Sequence, residues 1–257
     1  MKFSAQMISL QTIVRKEITR ILRIWSQTLL PPLVTQSLYF VIFGKFIGSQ
    51  IAPISGVGYM AFVVPGLVMM AVINSAYSNA VSSFYGAKFQ RNIEEVLVSP
   101  TPEWVILAGY TVGGVVRGVV VGGLVFLVSL LFAHPVIHNI WVVLFFTVFT
   151  AACFSMAGMI NGIFARNFDE VAIFQNFILT PLIYLGGVFY SVHNLPGFWQ
   201  KASLFNPLVY MINGFRAGFF GFSDAPLLVC GLMLLGLTVG LAAINLILLK
   251  QGTGIKN

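Results

Sequence analysis

Charge is scarce in this sequence. Only 8% of its 257 residues are charged, with seven acidic side chains against fourteen lysines and arginines. Long stretches therefore carry no ionisable group, which excludes an ordinary water-soluble domain, where about a quarter of residues are charged. Histidine and cysteine are scarcer still, at three and two. Cys153 and Cys230 fall inside apolar runs and read as small packing residues, not a disulfide or a metal pair. His134 and His138 have no carboxylate or thiol near them in sequence, so no metal site is expected. The phosphate-cradling pattern GxxxxGK[ST] does not occur, which excludes ATP binding by that route. No Ser/His/Asp set or paired catalytic carboxylates is visible, and no acidic residue lies midway along an apolar run, where ion-coupled carriers place them. No catalytic residue is expected, and uphill movement of any cargo would need energy from another chain.

What is present is apolar: 58% of the residues are hydrophobic. A helix needs about 20 such residues to cross a hydrocarbon core of about 30 Å, and six windows qualify: 27–48, 60–84, 105–132, 139–164, 171–190 and 226–249. The first starts too late and carries Pro31-Pro32, unlike a cleaved signal peptide. The expected fold is an all-α polytopic membrane protein with six transmembrane helices.

The basic residues sort by side. With both termini inside, Lys2, Arg15, Lys16, Arg20, Arg23, Lys88, Arg91, Arg166, Lys250 and Lys256 are cytoplasmic, while only Lys45, Lys201 and Arg216 fall outside; the positive-inside rule fixes this orientation. A net charge of +7 thus points to membrane topology and lipid headgroups, with no nucleic acid implied. Within 5–25, Leu10, Ile13, Val14, Ile18, Ile21, Leu22, Ile24 and Trp25 share a helical face opposite Lys16, Arg20 and Arg23, the pattern of an interfacial helix on the inner leaflet. Glu17 falls inside the apolar arc. A carboxylate there is costly unless paired, and Arg117 or Arg166 is its expected partner.

Residues 84–104 form the one long interruption with both charge signs. Phe89, Ile93, Val96 and Leu97 recur with helical period, and Ser99-Pro100-Thr101-Pro102 stops the pattern because proline lacks an N–H and biases its predecessor away from helix. A short cytoplasmic amphipathic helix within 88–102 is expected, suited to a soluble partner. The second window carries Asn74, Ser75, Tyr77, Ser78, Asn79, Ser82 and Ser83, which serve either a translocation path or interhelical hydrogen bonds. The third carries Gly109, Gly113, Gly114, Gly118, Gly122 and Gly123, spaced for close helix packing. Arg117 lies in that window, either as a functional intramembrane charge or within snorkelling range of the inner surface. Residues 191–223 are aromatic and broken by Pro196, Gly197, Pro207 and Gly214. Their apolar runs are too short to cross, so they read as outer re-entrant or interfacial helices, with Arg216 at the water boundary.

Taken in order, several segments resemble the membrane subunits of ABC-2 type transporters, and among them the short bacterial inner-membrane permeases. These segments are Arg15-Lys16-Glu17 followed by Pro31-Pro32, Gln90 to Pro102, Thr180-Pro181-Leu182, Leu185-Gly186-Gly187-Val188-Phe189, Leu195-Pro196, Asn206-Pro207-Leu208 and Gly214-Phe215-Arg216. The resemblance implies a homodimer under which two copies of a separate ATPase subunit dock, with ATP and magnesium on that partner and no cofactor on this chain. Gln90, Arg91, Ile93, Glu94, Glu95 and Leu97 would then belong to the ATPase-coupling helix. Asn74, Ser75, Ser78, Asn79 and Ser82, with Gln175, Asn176 and Thr180 of the fifth span, would line the translocation path. Phe189, Tyr190, Phe198, Trp199, Asn206, Pro207 and Arg216 would form the outer gate, and Glu17 and Arg117 are the buried charges. The expected function is ATP-driven export of a lipid-like, glycolipid or hydrophobic small-molecule cargo across a bacterial inner membrane. A membrane anchor recruiting a cytoplasmic partner and an ion-coupled carrier are the alternatives.

Overall fold

The computed structural model describes residues 3–54, 56–252 and 254, apart from the side chains of Lys45, Ser49, Glu94, Val96 and Leu97. Backbone N–H and C=O groups in hydrocarbon must be satisfied within the protein, and every regular element among the described residues is helical. Helix α1 (Phe3–Arg23) passes through Ile24 into α2 (Trp25–Tyr39). α2 continues as π-helical turns over Phe40–Ile47 and a 3-10 turn over Gly48–Gln50. The long α3 (Tyr59–Phe89) is followed by the short α4 (Asn92–Val98), then α5 (Glu103–Ser129) and α6 (Ile140–Phe164). α7 (Phe168–Phe174), a π-helical turn (Gln175–Leu179) and α8 (Thr180–Tyr184) form one helical path. α9 (Gly197–Ser203), α10 (Pro207–Phe220) and α11 (Leu227–Gln251) close the chain.

Among the described residues, four helices, α3, α5, α6 and α11, are each long and apolar enough to cross a membrane by length and composition, matching the windows 60–84, 105–132, 139–164 and 226–249. The windows 27–48 and 171–190 are instead divided between α-helical and π-helical segments. The second of these stops at Tyr184, six residues early. Its end is set by the turn that follows, in which Gly187 adopts φ +80°, a left-handed conformation that ends helices and suits glycine.

α3 is the central post. In its most apolar stretch 83% of α3 is buried, against 11% for α11 at the periphery. α5 and α6 flank it, and α10 packs on α6 and α11. Residues 191–223 contain α9 and α10, and Leu208, Met211, Ile212, Phe215 and Phe219 of α10 are buried, while Phe198, Trp199 and Phe205 remain exposed.

The α5 glycines serve two different faces. Gly109 and Gly113 accept Ile13 and Glu17 of α1, and Gly114, Gly118 and Gly122 accept Ser155 and Ala151 of α6 together with Ala76 and Val72 of α3. On α6, a Cβ at Gly158 would lie 2.5 Å from the Tyr77 carbonyl oxygen of α3, whereas one at Gly123 would meet nothing within 4 Å. Gly158→Ala should therefore cost about 2 kcal/mol through overpacking and lower the melting temperature in detergent by about 5 °C. Gly123→Ala should leave it unchanged.

Candidate functional site

The end of the bundle that carries α4 is built around one carboxylate. Ile13, Glu17 and Ile21 recur every fourth residue, so they form one stripe of α1, and the Gly109 and Gly113 notches let that stripe approach α5. Glu17 is wholly buried. Its Oε1 accepts a 2.5 Å hydrogen bond from Ser83 Oγ of α3 and lies 3.2 Å from Lys16 Nζ; its Oε2 lies 3.1 Å from Arg20 Nη2. Arg20 Nη2 also donates to Asn79 Oδ1 at 2.8 Å and to the Asn79 carbonyl at 3.1 Å. Lys16 donates to the Tyr110 hydroxyl of α5 at 3.2 Å and sits 4.6 Å above that ring. Burial lowers the pKa of Lys16, but Tyr110 and Glu17 outweigh it and hold the ammonium above the usual lysine value. The cluster ties α1 to α3 and α5 at one point, with the buried charge neutralised by two cations.

The partners of Glu17 are thus Arg20 and Lys16, not Arg117 or Arg166. Arg20 lies three residues on, a neighbouring position on a helix surface, although it had been placed opposite the apolar arc. Arg117 is half-buried and donates to the Thr28 carbonyl of α2 at 3.3 Å.

α4 is anchored, not floating. The chain turns between α3 and α4 at Arg91, whose φ of +60° costs a non-glycine residue about 1–2 kcal/mol. The expected face running from Phe89 to Leu97 is broken by this turn: Phe89 is 65% exposed at the end of α3, while Ile93 is buried against Phe84, Ile106, Leu107 and Tyr110. Just before the turn, Lys88 Nζ donates to the Ile163 and Ala165 carbonyls at 2.6 and 3.0 Å. It caps the end of α6 where unpaired carbonyls favour a cation. Tyr85 Oη donates to the Arg166 carbonyl at 3.2 Å. Gln90, Arg91, Asn92, Glu95 and Val98 are left exposed, with Val98 87% so. Val98 was missed as a surface knob because it stands next to the proline stop; Glu94 and Leu97 lie outside the described side chains.

The eight candidate path residues do not form one surface. Ser78 Oγ donates to Gln175 Oε1 at 3.3 Å, which brings α3 and the π-helical turn together. Thr180 adds both its N–H and its hydroxyl, at 2.9 Å, to the Gln175 carbonyl. Asn176 is exposed, Asn74 Nδ2 donates back to Met70 O at 3.1 Å, and Ser75 is buried with no partner for its hydroxyl. Asn79 belongs to the Arg20 cluster, and Ser82 Oγ accepts from Arg20 Nη1 at 3.4 Å. A link not foreseen is Asn161 of α6, whose Nδ2 donates to Tyr77 Oη at 2.6 Å and to the Val171 carbonyl at 3.1 Å. Its signal in the sequence was an amide side chain near the inner end of the fourth apolar window.

At the opposite end, Arg216 is buried, not at a water boundary. Its Nη2 donates to the Gly187 carbonyl at 2.8 Å, its Nη1 to Asn213 Oδ1 at 3.3 Å, and its guanidinium stacks 4.0 Å from the Phe62 ring centre. Asn206 is a helix cap: its Oδ1 accepts from Leu208 N at 3.0 Å and its Nδ2 donates to the Leu182 carbonyl at 2.8 Å, with Pro207 at the first helical position, where its missing N–H costs nothing. Phe189 and Tyr190 are half-buried, and Phe189 packs against Tyr39, Phe43 and Tyr184.

A family model described as ABC-2 type transporter matches residues 8–220. The chain belongs to the ABC-2 type transporter family. It is 52% identical over 251 residues to the inner membrane transport permease YadH of Escherichia coli K12, which covers 97% of this chain and 98% of that one. It is 27% identical over 206 residues to nodulation protein J of Rhizobium meliloti strain 1021, covering 76% and 74%. To nodulation protein J of Rhizobium leguminosarum bv. viciae it is 25% identical over 195 residues, covering 72% and 71%. The part matched as ABC-2 type transporter runs from α1 through α10 and leaves out α11, the span least buried by the rest. As an ABC-2 permease the chain is a transport subunit and not itself a catalytic enzyme.

The carboxylate cluster makes a direct prediction for this ABC-2 permease. Glu17→Gln leaves two cations without their buried partner, at about 3 kcal/mol, and raises the opened population of α1 about a hundredfold. Trypsin cleavage after Arg15, Lys16 and Arg20 in detergent should accelerate accordingly, while Asp169→Asn, at an exposed position, should leave the cleavage rate unchanged.

Proposed function

We propose that this chain is the permease half of an ATP-driven exporter in a bacterial inner membrane, energised by a separate ATPase. The observation that carries the proposal is the mounting of α4: Ile93 is buried in the bundle, while Gln90, Asn92, Glu95 and Val98 face outward. A helix held rigidly on one side and presenting polar groups and one apolar knob on the other suits a soluble partner that pushes on the bundle. Two ATPase copies would dock beneath a homodimer of this chain, and ATP and magnesium would reside on them.

In this proposal the divided helical paths Trp25–Gln50 and Phe168–Tyr184 act as spans beside α3, α5, α6 and α11, giving six. At about 1.5 Å per residue they measure roughly 39 and 26 Å. An even number places both termini on one side, with Arg15, Lys16, Arg20, Arg23, Lys88 and Arg91 cytoplasmic by the positive-inside rule. Ser78, Gln175, Asn176 and Thr180 would border the path, and the Phe189, Tyr190, Phe198 and Trp199 end would gate it. The aromatic, nearly uncharged outer end favours a lipid-like, glycolipid or hydrophobic cargo.

The test is co-purification of the tagged chain from native membranes in mild detergent, with retained proteins identified by mass spectrometry. An ATPase subunit should accompany the wild type and be lost from a Glu95→Arg/Val98→Asp variant that still elutes as a folded particle. Absence of any ATPase from the wild type would exclude ATP-driven export as stated.

A further inference from the structure

A groove of about 930 Å³ opens between α1 and the α4 end of α3, walled by Arg15, Lys16, Arg20, Arg23, Ser82 and Glu95. Four cations face one carboxylate there. Both ion pairs among the described residues converge on Glu17, beneath the wall, so Arg15 and Arg23 carry charges that no carboxylate answers. Arg20 Nε is buried and also lacks a hydrogen-bond partner. The remaining polar wall is rich in hydroxyls, from Thr12, Thr19 and Tyr110. Guanidinium groups pair bidentately with carboxylate and phosphate alike, and the hydroxyls around them can donate to the further acceptor oxygens that a phosphate carries and a carboxylate lacks.

The position of the groove indicates where such a phosphate comes from. α1 lies beside Gly109 and Gly113 of α5, roughly 9 and 15 Å along that helix from Glu103, which is headgroup depth or just below it. Next to Arg23, Leu22 is 68% exposed and Trp25 54% exposed, an aliphatic and an aromatic group at the level where acyl chains begin. Ile8 and Ile24 add apolar surface to the groove itself.

We propose that this groove binds the phosphate of an anionic glycerophospholipid, held by Arg15 and Arg23 above the Glu17 cluster, with its acyl chains along Leu22 and Trp25. The site would act as a lipid-dependent lock on α1. It does not depend on ATP-driven export, only on α1 lying at the membrane surface.

The experiment uses the full chain in a neutral detergent, supplied with phosphatidylglycerol, phosphatidylcholine or glycerol 3-phosphate. Lipid retention is read by native mass spectrometry and stability by melting temperature. The wild type should retain phosphatidylglycerol over phosphatidylcholine and melt higher with it. Arg15→Ala/Arg23→Ala should weaken that retention about thirtyfold, the loss expected for two arginines near a charged headgroup, and Arg15→Lys/Arg23→Lys should keep most of it. Equal retention of the two lipids by the wild type, a comparison that needs no variant to fold, would overturn the proposal. So would stabilisation by glycerol 3-phosphate as large as that by phosphatidylglycerol, which would make the ligand a soluble phosphate ester. If the alanine variant kept its lipid but lost a co-purifying protein, the groove would belong to that protein instead.

Discussion

A carboxylate that cannot reach water has to be answered by donors from the protein, and the α4 end of this permease is arranged around that requirement. Glu17 reaches its buried position because Gly113 offers no side chain there. Its charge is then met by Lys16 and Arg20 from its own helix and by Ser83 from α3. Both cations are themselves held: Lys16 over Tyr110 and Arg20 by Asn79. Removing a charge from water costs several kcal/mol even after relaxation, so the cluster is better understood as fixing where α1 sits than as a large source of stability.

The same logic explains the polarity of α3. A central helix buried on nearly all sides has little solvent for its polar groups, and four of them find partners on neighbouring elements. Asn79 and Ser83 meet α1, Tyr77 meets Asn161 of α6, and Ser78 meets Gln175. α3 is thereby in register with three different elements at once, and a shift of α3 by one turn would unpair all of them together.

The sequence displayed the apolar windows, the proline stop after Val98 and the close-packing glycines, because each is a local pattern with a local cause. α4 ends at Val98 and α5 starts at Glu103, on either side of the two prolines, and the α5 glycines do receive neighbouring helices. What it hid were pairings made in three dimensions. Periodicity ranks residues by polarity and so puts Arg20 opposite the apolar arc, toward the headgroups, whereas Arg20 is drawn inward by a carboxylate one turn away. Arg216 looked like a boundary residue for the same reason, yet it is buried to hold the Gly187 carbonyl in the turn that ends α8. The left-handed turn at Arg91 was invisible because arginine carries no turn signature, and it is this turn that separates Phe89 from Ile93.

The two ends of the bundle are joined through backbone contacts that leave little slack. At one end Lys88 binds the last carbonyls of α6, so the base of α3, the turn at Arg91 and α4 move with α6. Along the bundle, Gly158 brings the α6 backbone onto that of α3, and near the other end Gly66 of α3 meets Val188 just as closely, so that a Cβ there would lie 2.5 Å from its carbonyl oxygen. Among the described residues, the Phe168–Tyr184 path meets α3 through a side-chain hydrogen bond, Ser78 to Gln175, and is itself tied to the Trp25–Gln50 path through the hydroxyls of Tyr184 and Tyr39. Close-packed glycine contacts resist sliding because they have no side chain to repack, whereas hydrogen-bonded side chains can exchange partners. A push on α4 would therefore be carried by α3 and α6 as one body, and relative motion would be concentrated where those two π-containing paths meet it.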